Sequence, residues 1–188
     1  MLPFLVLGLL QGLTEFLPIS SSGHLALAEA WLGWEVPGLL FEALVHLATV
    51  GSILVYYRRR LWALARRPTS PETRRLLGAL ALASVPIALV GLGLKDAVTA
   101  AFAAPAAVAL ALMWTGFVLF WAGGRPPGAR DLDGLRWWQV GLIGLAQALA
   151  VFPGVSRSGM TVAAALALGM ARERAAEFSL LLAVPAIL

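Results

Sequence analysis

The residues best suited to chemistry lie in two short polar segments, each of which interrupts a long apolar stretch. The first segment reads QGLTEFLPISSSGH over residues 11–24. Gln11 and Glu15 are four positions apart and share one face of a helix, and His24 follows a run of serines. A carboxylate and an imidazole brought together are suited to proton transfer or metal binding, and hydroxyls at a helix start can bind an anion. The serines are Ser20, Ser21 and Ser22.

The second segment reads PGVSRSGMT over residues 153–161. Arg157, between Ser156 and Ser158, offers paired guanidinium donors beside two hydroxyls and the free amides of a helix start, which predicts a phosphate-binding site. Two simpler interpretations stay open: the serines only cap helices, or Arg157 forms a structural ion pair with Glu15. Because an ionisable group at membrane depth costs about 2.5–3.5 kcal/mol or more, we favour a functional role for Glu15.

Composition indicates that lipid surrounds most of the protein. Hydrophobic residues make up 60% and charged residues 13% of the chain, against roughly 45–50% and 25% in soluble domains. The net charge of +4 comes from arginines in short runs between apolar blocks, a pattern typical of the positive-inside rule and not of a nucleic-acid-binding face. We therefore predict a membrane protein with no nucleic-acid partner, no disulfide and no cleavable signal peptide.

The apolar stretches are of two kinds. Three are long enough to cross a hydrocarbon core as helices, which takes about 20 residues: 39–57, 76–94 and 100–122. Two others, 2–30 and 137–171, are broken at their centres by Pro, Gly and Ser, and each half is too short to cross. Each broken stretch therefore predicts a re-entrant hairpin of two half-helices, which is stable only where it lines a protein cavity.

The two broken stretches are copies of one another. Residues 8–23 align with 144–159 at a constant offset of 136, and eight of the 16 positions are identical. The first copy holds one hairpin and three spans, so the second begins on the opposite face and the duplication is inverted. The arginine-rich loops at 58–75 and 125–136 then share one side, which the positive-inside rule makes cytoplasmic. The hairpins enter from opposite sides and meet near the midplane.

The predicted fold is a single all-α membrane domain over residues 1–188, built from an inverted-topology repeat. The first repeat is 1–136, and the second, 137–188, holds its hairpin and the start of a span at 176. We expect the second repeat to lack its C-terminal part, about 80 residues by comparison with the first. Glu42 and His46, four positions apart, are predicted to support the site indirectly or to form a plain hydrogen bond within the membrane.

Both polar segments resemble signature motifs of the undecaprenyl-diphosphate phosphatases, which are also called bacitracin-resistance proteins. Residues 11–24 are similar to the (Glu/Gln)-x-x-x-Glu motif, and residues 153–161 to Pro-Gly-x-Ser-Arg-Ser-x-x-Thr. The resemblance extends over the whole chain. It implies a multi-pass enzyme of the bacterial plasma membrane that removes one phosphate from undecaprenyl diphosphate, which recycles the lipid carrier for cell-wall synthesis. Bacitracin would compete for this substrate.

The resemblance also implies roles for particular residues. A divalent cation, Mg²⁺ or Ca²⁺, would bind Glu15 with Gln11 nearby, although many family members have glutamate where this chain has Gln11. His46 lies where glutamine is expected. The implied catalytic residues are Glu15, Ser21, His24 and Arg157. The implied diphosphate-binding residues are Ser20, Ser22, Ser156, Arg157, Ser158 and Thr161.

Several points stay open at this stage. The nucleophile is either water or Ser21, activated by Glu15 and His24, and the prenyl tail would lie between helices. The main alternative function is a transporter of an anionic prenyl-phosphate lipid or a small anion, because inverted repeats with broken helices are typical of transporters. A scaffolding protein is a weaker alternative, which the buried charges disfavour. The sequence is compatible with a homodimer and does not decide the oligomeric state.

Overall fold

A computed structural model describes residues 1–34, 38–126 and 128–188, and the side chains of residues 38–40 and 42 lie outside that description. Within these ranges the chain is helical and contains no β-strand, so the prediction of an all-α protein is confirmed for this part of the chain. The α-helices are α1 (Leu2–Thr14), α2 (Ser21–Leu32), α3 (Gly38–Tyr56), α4 (Arg58–Ala65), α5 (Pro71–Gly93), α6 (Lys95–Phe102), α7 (Pro105–Gly123), α8 (Trp137–Ala148), α9 (Arg157–Ala167) and α10 (Arg172–Ile187). Short 3-10 turns cover Leu132–Gly134 and Leu149–Val151.

Helices α5 and α7 are long and apolar enough to cross a membrane, judged by length and composition. They also leave large apolar side chains exposed, including Leu89 at 66% and Phe120 at 85%. Soluble monomers rarely expose apolar surface on this scale. These two helices are therefore compatible with a membrane protein.

The third predicted span, 100–122, differs from the structure at its start. Helix α6 ends at Phe102, and α7 begins only at Pro105. Pro105 has no N–H to donate. The residue before it, Ala104, has φ −119° and ψ 84°, which lies outside the helical region of backbone conformations. The two helices therefore cannot merge into one.

The arginine-rich loop predicted at 58–75 contains a helix, α4. This helix forms because Leu61 and Leu64 pack against the hydrophobic core. The chain then turns, and Ser70 caps α5 by accepting a hydrogen bond from the Thr73 N–H at 3.2 Å.

Both apolar stretches that were predicted to be interrupted are interrupted. Helix α1 ends at Thr14 and α2 begins only at Ser21, and α8 ends at Ala148 whereas α9 begins only at Arg157. The second helix of each pair is capped in the same way. Ser20 Oγ accepts a hydrogen bond from the Gly23 N–H at 3.4 Å, and Ser156 Oγ accepts one from the Gly159 N–H at 3.0 Å. Ser20 and Ser156 correspond in the internal repeat, so equivalent sequence builds equivalent local structure.

Helices α5, α8, α9 and α10 pack around one hydrophobic core. Small residues of α5 let α8 approach closely, and the Gln147 side chain donates to the carbonyl of Ala83 at 3.2 Å. Helix α7 contacts both α2 and α9, so it links the two interrupted segments. The core residues include Leu76, Ala79, Ala83, Val140, Ile143, Ala165, Phe178, Leu181 and Leu182.

Candidate active site

Glu15 is the centre of a buried polar cluster. It follows the last residue of α1, and only 7% of its side chain is exposed. Gln11, one helical turn earlier, donates from Nε2 to Glu15 Oε2 at 2.8 Å, and the Ser21 hydroxyl donates to the same oxygen. Arg157 donates from Nη2 to Oε1 at 3.0 Å. Three donors from three helices therefore converge on this carboxylate.

Arg157 is the first residue of α9 and lies 142 positions from Glu15 in sequence. The predicted convergence of these two side chains is confirmed, and so is the ion pair between them. One nitrogen, Nη2, makes the ion pair, whereas Nη1 is buried and has no hydrogen-bond partner among the described residues. A buried donor without an acceptor is costly, so this nitrogen is suited to a ligand oxygen.

The two interrupted segments touch through glycine. A Cβ atom on Gly23 would lie 2.8 Å from the Cα of Gly154, so only glycine fits at that contact. Gly154 itself has φ +92°, a conformation that side chains rarely adopt. This approach brings the start of α2, with Ser21, close to the start of α9, with Arg157.

Thr115 of α7 supports the second segment, and sequence reasoning did not identify it. Its hydroxyl donates to the carbonyl of Gly154 at 2.8 Å and accepts from the Ser156 N–H at 3.1 Å. Thr115 is 2% exposed. The one signal in the sequence is a hydroxyl in the middle of an apolar helix. Thr115 therefore fixes the backbone that leads into Arg157.

The backbone before Ser21 is strained. Ser20 has φ +67° and ψ 91°, and it is the one residue other than glycine with positive φ in the described part of the chain. Such conformations cost on the order of 1–3 kcal/mol and cluster at functional sites. Here the strained residue directly precedes the hydroxyl that contacts Glu15.

A cavity of about 540 Å³ opens beside this cluster. Its polar wall contains seven of the predicted site residues, namely Glu15, Ser20, Ser21, Ser22, Ser156, Arg157 and Ser158. Leu47, Ile87 and Val155 contribute to its apolar wall. His46 also lines the cavity, with Nε2 at 3.7 Å from Glu15 Oε2. The cavity thus combines an anion-binding side with an apolar side.

Two of the predicted catalytic and diphosphate-binding residues lie elsewhere. Thr161 is 1% exposed, and its hydroxyl is bonded to Ser179 Oγ at 2.7 Å and to the Arg157 carbonyl at 2.9 Å, so it joins α9 to α10. His24 places Nδ1 2.7 Å from the carbonyl of Ser20 and does not line the cavity. Their contacts with substrate stay predictions. The side chain of Glu42 lies outside the described residues.

The predicted cation has a small set of protein ligands. No group of three or more His, Cys, Asp or Glu residues that could hold a metal ion occurs in the part of the chain that the structure describes. Glu15 is the one acidic side chain among the described residues that line the cavity, and Gln11 Oε1 is buried without a hydrogen-bond partner in the same part of the chain. Mg²⁺ commonly binds through one or two carboxylates plus substrate phosphates and water. The residues therefore fit a cation that is shared with a phosphate ligand, and they do not form an all-protein cage.

The cluster has the parts needed for phosphoryl transfer. Ser21 with Glu15 is a hydroxyl paired with a carboxylate base, which is how weak nucleophiles are activated. The guanidinium of Arg157 and the free amides at the start of α9 can stabilise the charge on a phosphoryl group.

Comparison with known proteins gives one consistent result. The profile of the family described as "Bacitracin resistance protein BacA" matches residues 4–188. An undecaprenyl-diphosphatase of Magnetococcus marinus is 43% identical over 192 residues, covering 96% of this chain and 71% of that protein. One of Syntrophotalea carbinolica is 44% identical over 189 residues, covering 97% and 72%. One of Carboxydothermus hydrogenoformans is 41% identical over 184 residues, covering 98% and 69%.

Proposed function

This chain belongs to the bacitracin resistance protein BacA family, and on that premise we propose that it hydrolyses undecaprenyl diphosphate to undecaprenyl phosphate and inorganic phosphate. The reaction recycles the lipid carrier of bacterial cell-wall synthesis and gives resistance to bacitracin, which competes for the diphosphate. The observation that carries the proposal is the buried cluster of Glu15, Ser21 and Arg157 at the wall of the cavity.

Arg157 binds the substrate and orients the base at the same time. Nη2 stays on Glu15, while Nη1, which has no acceptor among the described residues, takes an oxygen of the terminal phosphate. Ser22, Ser158 and the amides at the start of α9 bind the remaining oxygens. The terminal phosphorus is then held near Ser21, and such positioning supplies much of the catalysis of phosphoryl transfer.

Ser21 is the nucleophile of the proposed first step. Glu15 accepts the hydroxyl proton, and Ser21 Oγ bonds to the terminal phosphorus while the bond from that phosphorus to the bridging oxygen breaks. Glu15 then gives that proton to the bridging oxygen, so undecaprenyl phosphate leaves and the carboxylate is ionised again. In the second step Glu15 takes a proton from water, the water oxygen attacks the phosphoserine, and the released Ser21 oxygen recovers its proton. Inorganic phosphate is the second product, so atoms and charge balance.

A divalent cation is part of the proposal. Glu15 and Gln11 Oε1 would hold it together with the substrate, and it would neutralise phosphate charge when bound.

The internal repeat and the apolar helices support the membrane arrangement that we propose. The chain lies in the bacterial plasma membrane as a multi-pass protein, with the interrupted segments as re-entrant hairpins of two inverted repeats. The loop containing α4 faces the cytoplasm. The prenyl chain extends along the apolar wall of the cavity, past Leu47 and Ile87. Homodimer formation stays a prediction from the sequence.

The test measures phosphate release from farnesyl diphosphate by the purified chain in detergent. We expect Glu15→Gln to lower kcat about 10²–10⁴-fold, the range of general-base catalysis. Ser21→Ala should be at least as severe and should abolish phosphoserine trapped by acid quenching. Ser22→Ala, one position along the same helix start, is the matched control: it should lower kcat/KM about 10–10²-fold, the loss of one hydrogen bond to a charged phosphate oxygen, and should keep the trapped phosphoserine.

Two outcomes would contradict the proposal. Normal phosphate release by Ser21→Ala would remove Ser21 as nucleophile and leave water in that role. Tight binding of the diphosphate by the parent chain without any phosphate release would favour the transporter alternative.

A further inference from the structure

A second polar cavity, far in sequence from the Glu15 cluster, lies between α4 and the start of α5. Its volume is about 620 Å³. We call it the arginine groove, and its polar lining consists of Arg59, Arg60, Trp62, Arg66, Arg67, Ser70, Glu72 and Thr73. None of these residues takes part in the proposed hydrolysis.

The groove carries more positive charge than the protein itself neutralises. Its single carboxylate, Glu72, pairs with Arg60 at 3.1 Å, and Arg60 also lies 2.5 Å from Glu177. Arg59 and Arg67 are exposed and make no ion pair or side-chain hydrogen bond with any residue that the structure describes. The groove therefore keeps a surplus of guanidinium groups without a counter-ion.

The orientation of α4 is fixed by the core. Leu61 and Leu64 pack against the hydrophobic core cluster, so they define the inner face of the helix. A different face of α4 and its C-terminal cap is formed by residues at the helical spacing i, i+3 and i+7, namely Arg59, Trp62 and Arg66. Trp62 is 62% exposed, and the guanidinium of Arg66 lies 5.1 Å from its ring centre. A tryptophan and two arginines thus share one outward face.

The position of the groove in the chain indicates its surroundings. Helix α4 ends five residues before α5, one of the two helices long and apolar enough to cross a membrane. If α5 crosses, as proposed above, the groove lies at the level of the lipid headgroups, where tryptophan is enriched. A guanidinium binds phosphate oxygens in paired hydrogen bonds, and arginines beside a membrane attract anionic lipids.

We propose that the arginine groove binds the phosphate of an anionic phospholipid headgroup. The charge surplus selects an anionic lipid, and the exposed Trp62 indole packs beside its glycerol and acyl region. The inference uses the proposed membrane placement and is independent of the hydrolysis reaction. Arg60 is structural in this arrangement because its guanidinium is already paired.

The test measures lipid binding to the purified full chain by native mass spectrometry, with phosphatidylglycerol as the probe. Each arginine near an anionic surface changes affinity about fivefold, so the double variant Arg59→Gln/Arg67→Gln should bind phosphatidylglycerol about 25-fold more weakly. Arg125→Gln is the matched control, since Arg125 also stacks on an exposed tryptophan, 4.6 Å from the ring centre of Trp121, in another loop. Because it removes a single arginine that lies outside the groove on the same side of the membrane, it should weaken phosphatidylglycerol binding by no more than about fivefold.

Three results would overturn the proposal. The double variant could keep full affinity, phosphatidylcholine could bind as tightly as phosphatidylglycerol, or inorganic phosphate at equal concentration could displace the lipid, which would indicate a site for the free anion. Phosphate release from farnesyl diphosphate is measured in parallel and should be unchanged in the double variant. If the parent chain binds phosphatidylglycerol but releases no phosphate, the proposed hydrolase activity is contradicted and the proposed lipid site is supported.

Discussion

Replacing Thr115 with valine isolates the contribution of one hydroxyl to the position of Arg157. Valine has nearly the same shape, so the change leaves no cavity, but it removes both the hydrogen bond to the Gly154 carbonyl and the one from the Ser156 N–H. Both backbone groups belong to buried residues. A buried group left without its partner costs about 1–3 kcal/mol, so the two together should cost about 2–6 kcal/mol of unfolding free energy.

The assay for this variant combines thermal unfolding with activity. Since about 1 kcal/mol shifts Tm by about 2–4 °C in a chain of this size, we expect Tm to fall by about 4–24 °C. A displacement of Arg157 by 1 Å should lower kcat/KM for farnesyl diphosphate on the order of 10²-fold at a temperature where the variant is folded.

Thr115→Ser is the control for this prediction because it keeps the hydroxyl and loses only a methyl group. It should unfold within about 0.5–1.5 kcal/mol of the parent and keep most of the activity. If the valine variant is as stable and as active as the serine variant, the hydroxyl does not support the second segment and the reasoning is refuted.

Two further predictions concern the first segment and the ion pair. Ser20→Gly and Ser20→Ala both remove the capping hydroxyl, but only glycine accepts φ +67° without strain. The glycine variant should therefore be more stable than the alanine variant by about 1–2 kcal/mol in thermal or denaturant unfolding. Equal stability of the two variants would show that the backbone at this position is unstrained. Glu15→Gln and Arg157→Gln should each lower the free energy of unfolding by about 3–5 kcal/mol, because each leaves one buried charge unpaired. The double variant should lose less than the sum of the two single losses. Simple additivity in the same unfolding measurement would show that the two charges do not interact.

The pairing of Glu15 with Arg157 could be predicted from the sequence because the internal repeat indicates which two segments lie together. Once residues 8–23 and 144–159 are aligned, the predicted inverted duplication would bring the two polar segments together, and the structure has the expected contact between Glu15 and Arg157. The simpler interpretation that serines cap helices also holds for Ser20 and Ser156, since N-caps are a local property of the chain.

The rest of the site depends on distant packing. Thr115 bonds to residues 39 and 41 positions away, and an apolar helix has no periodic pattern that marks which hydroxyl faces another segment. Residue type also gave no indication that the Thr161 hydroxyl would bond to Ser179, or that His24 would face a backbone carbonyl. Pro105 is a local signal for a helix start, but the predicted span 100–122 was drawn through it because hydropathy is uniformly high along that stretch.

The charges of the central pair come from different halves of the repeat, and this has a consequence for assembly. At an offset of 136, Glu15 corresponds to Val151, and Arg157 corresponds to Ser21. Two copies of the first half alone would supply two carboxylates and no Arg157, and two copies of the second half alone would supply two guanidiniums and no Glu15. Like charges enclosed together repel. Neither half by itself, even as a dimer, therefore contains the parts of this ion pair, and the neutral cluster needs both segments of the chain.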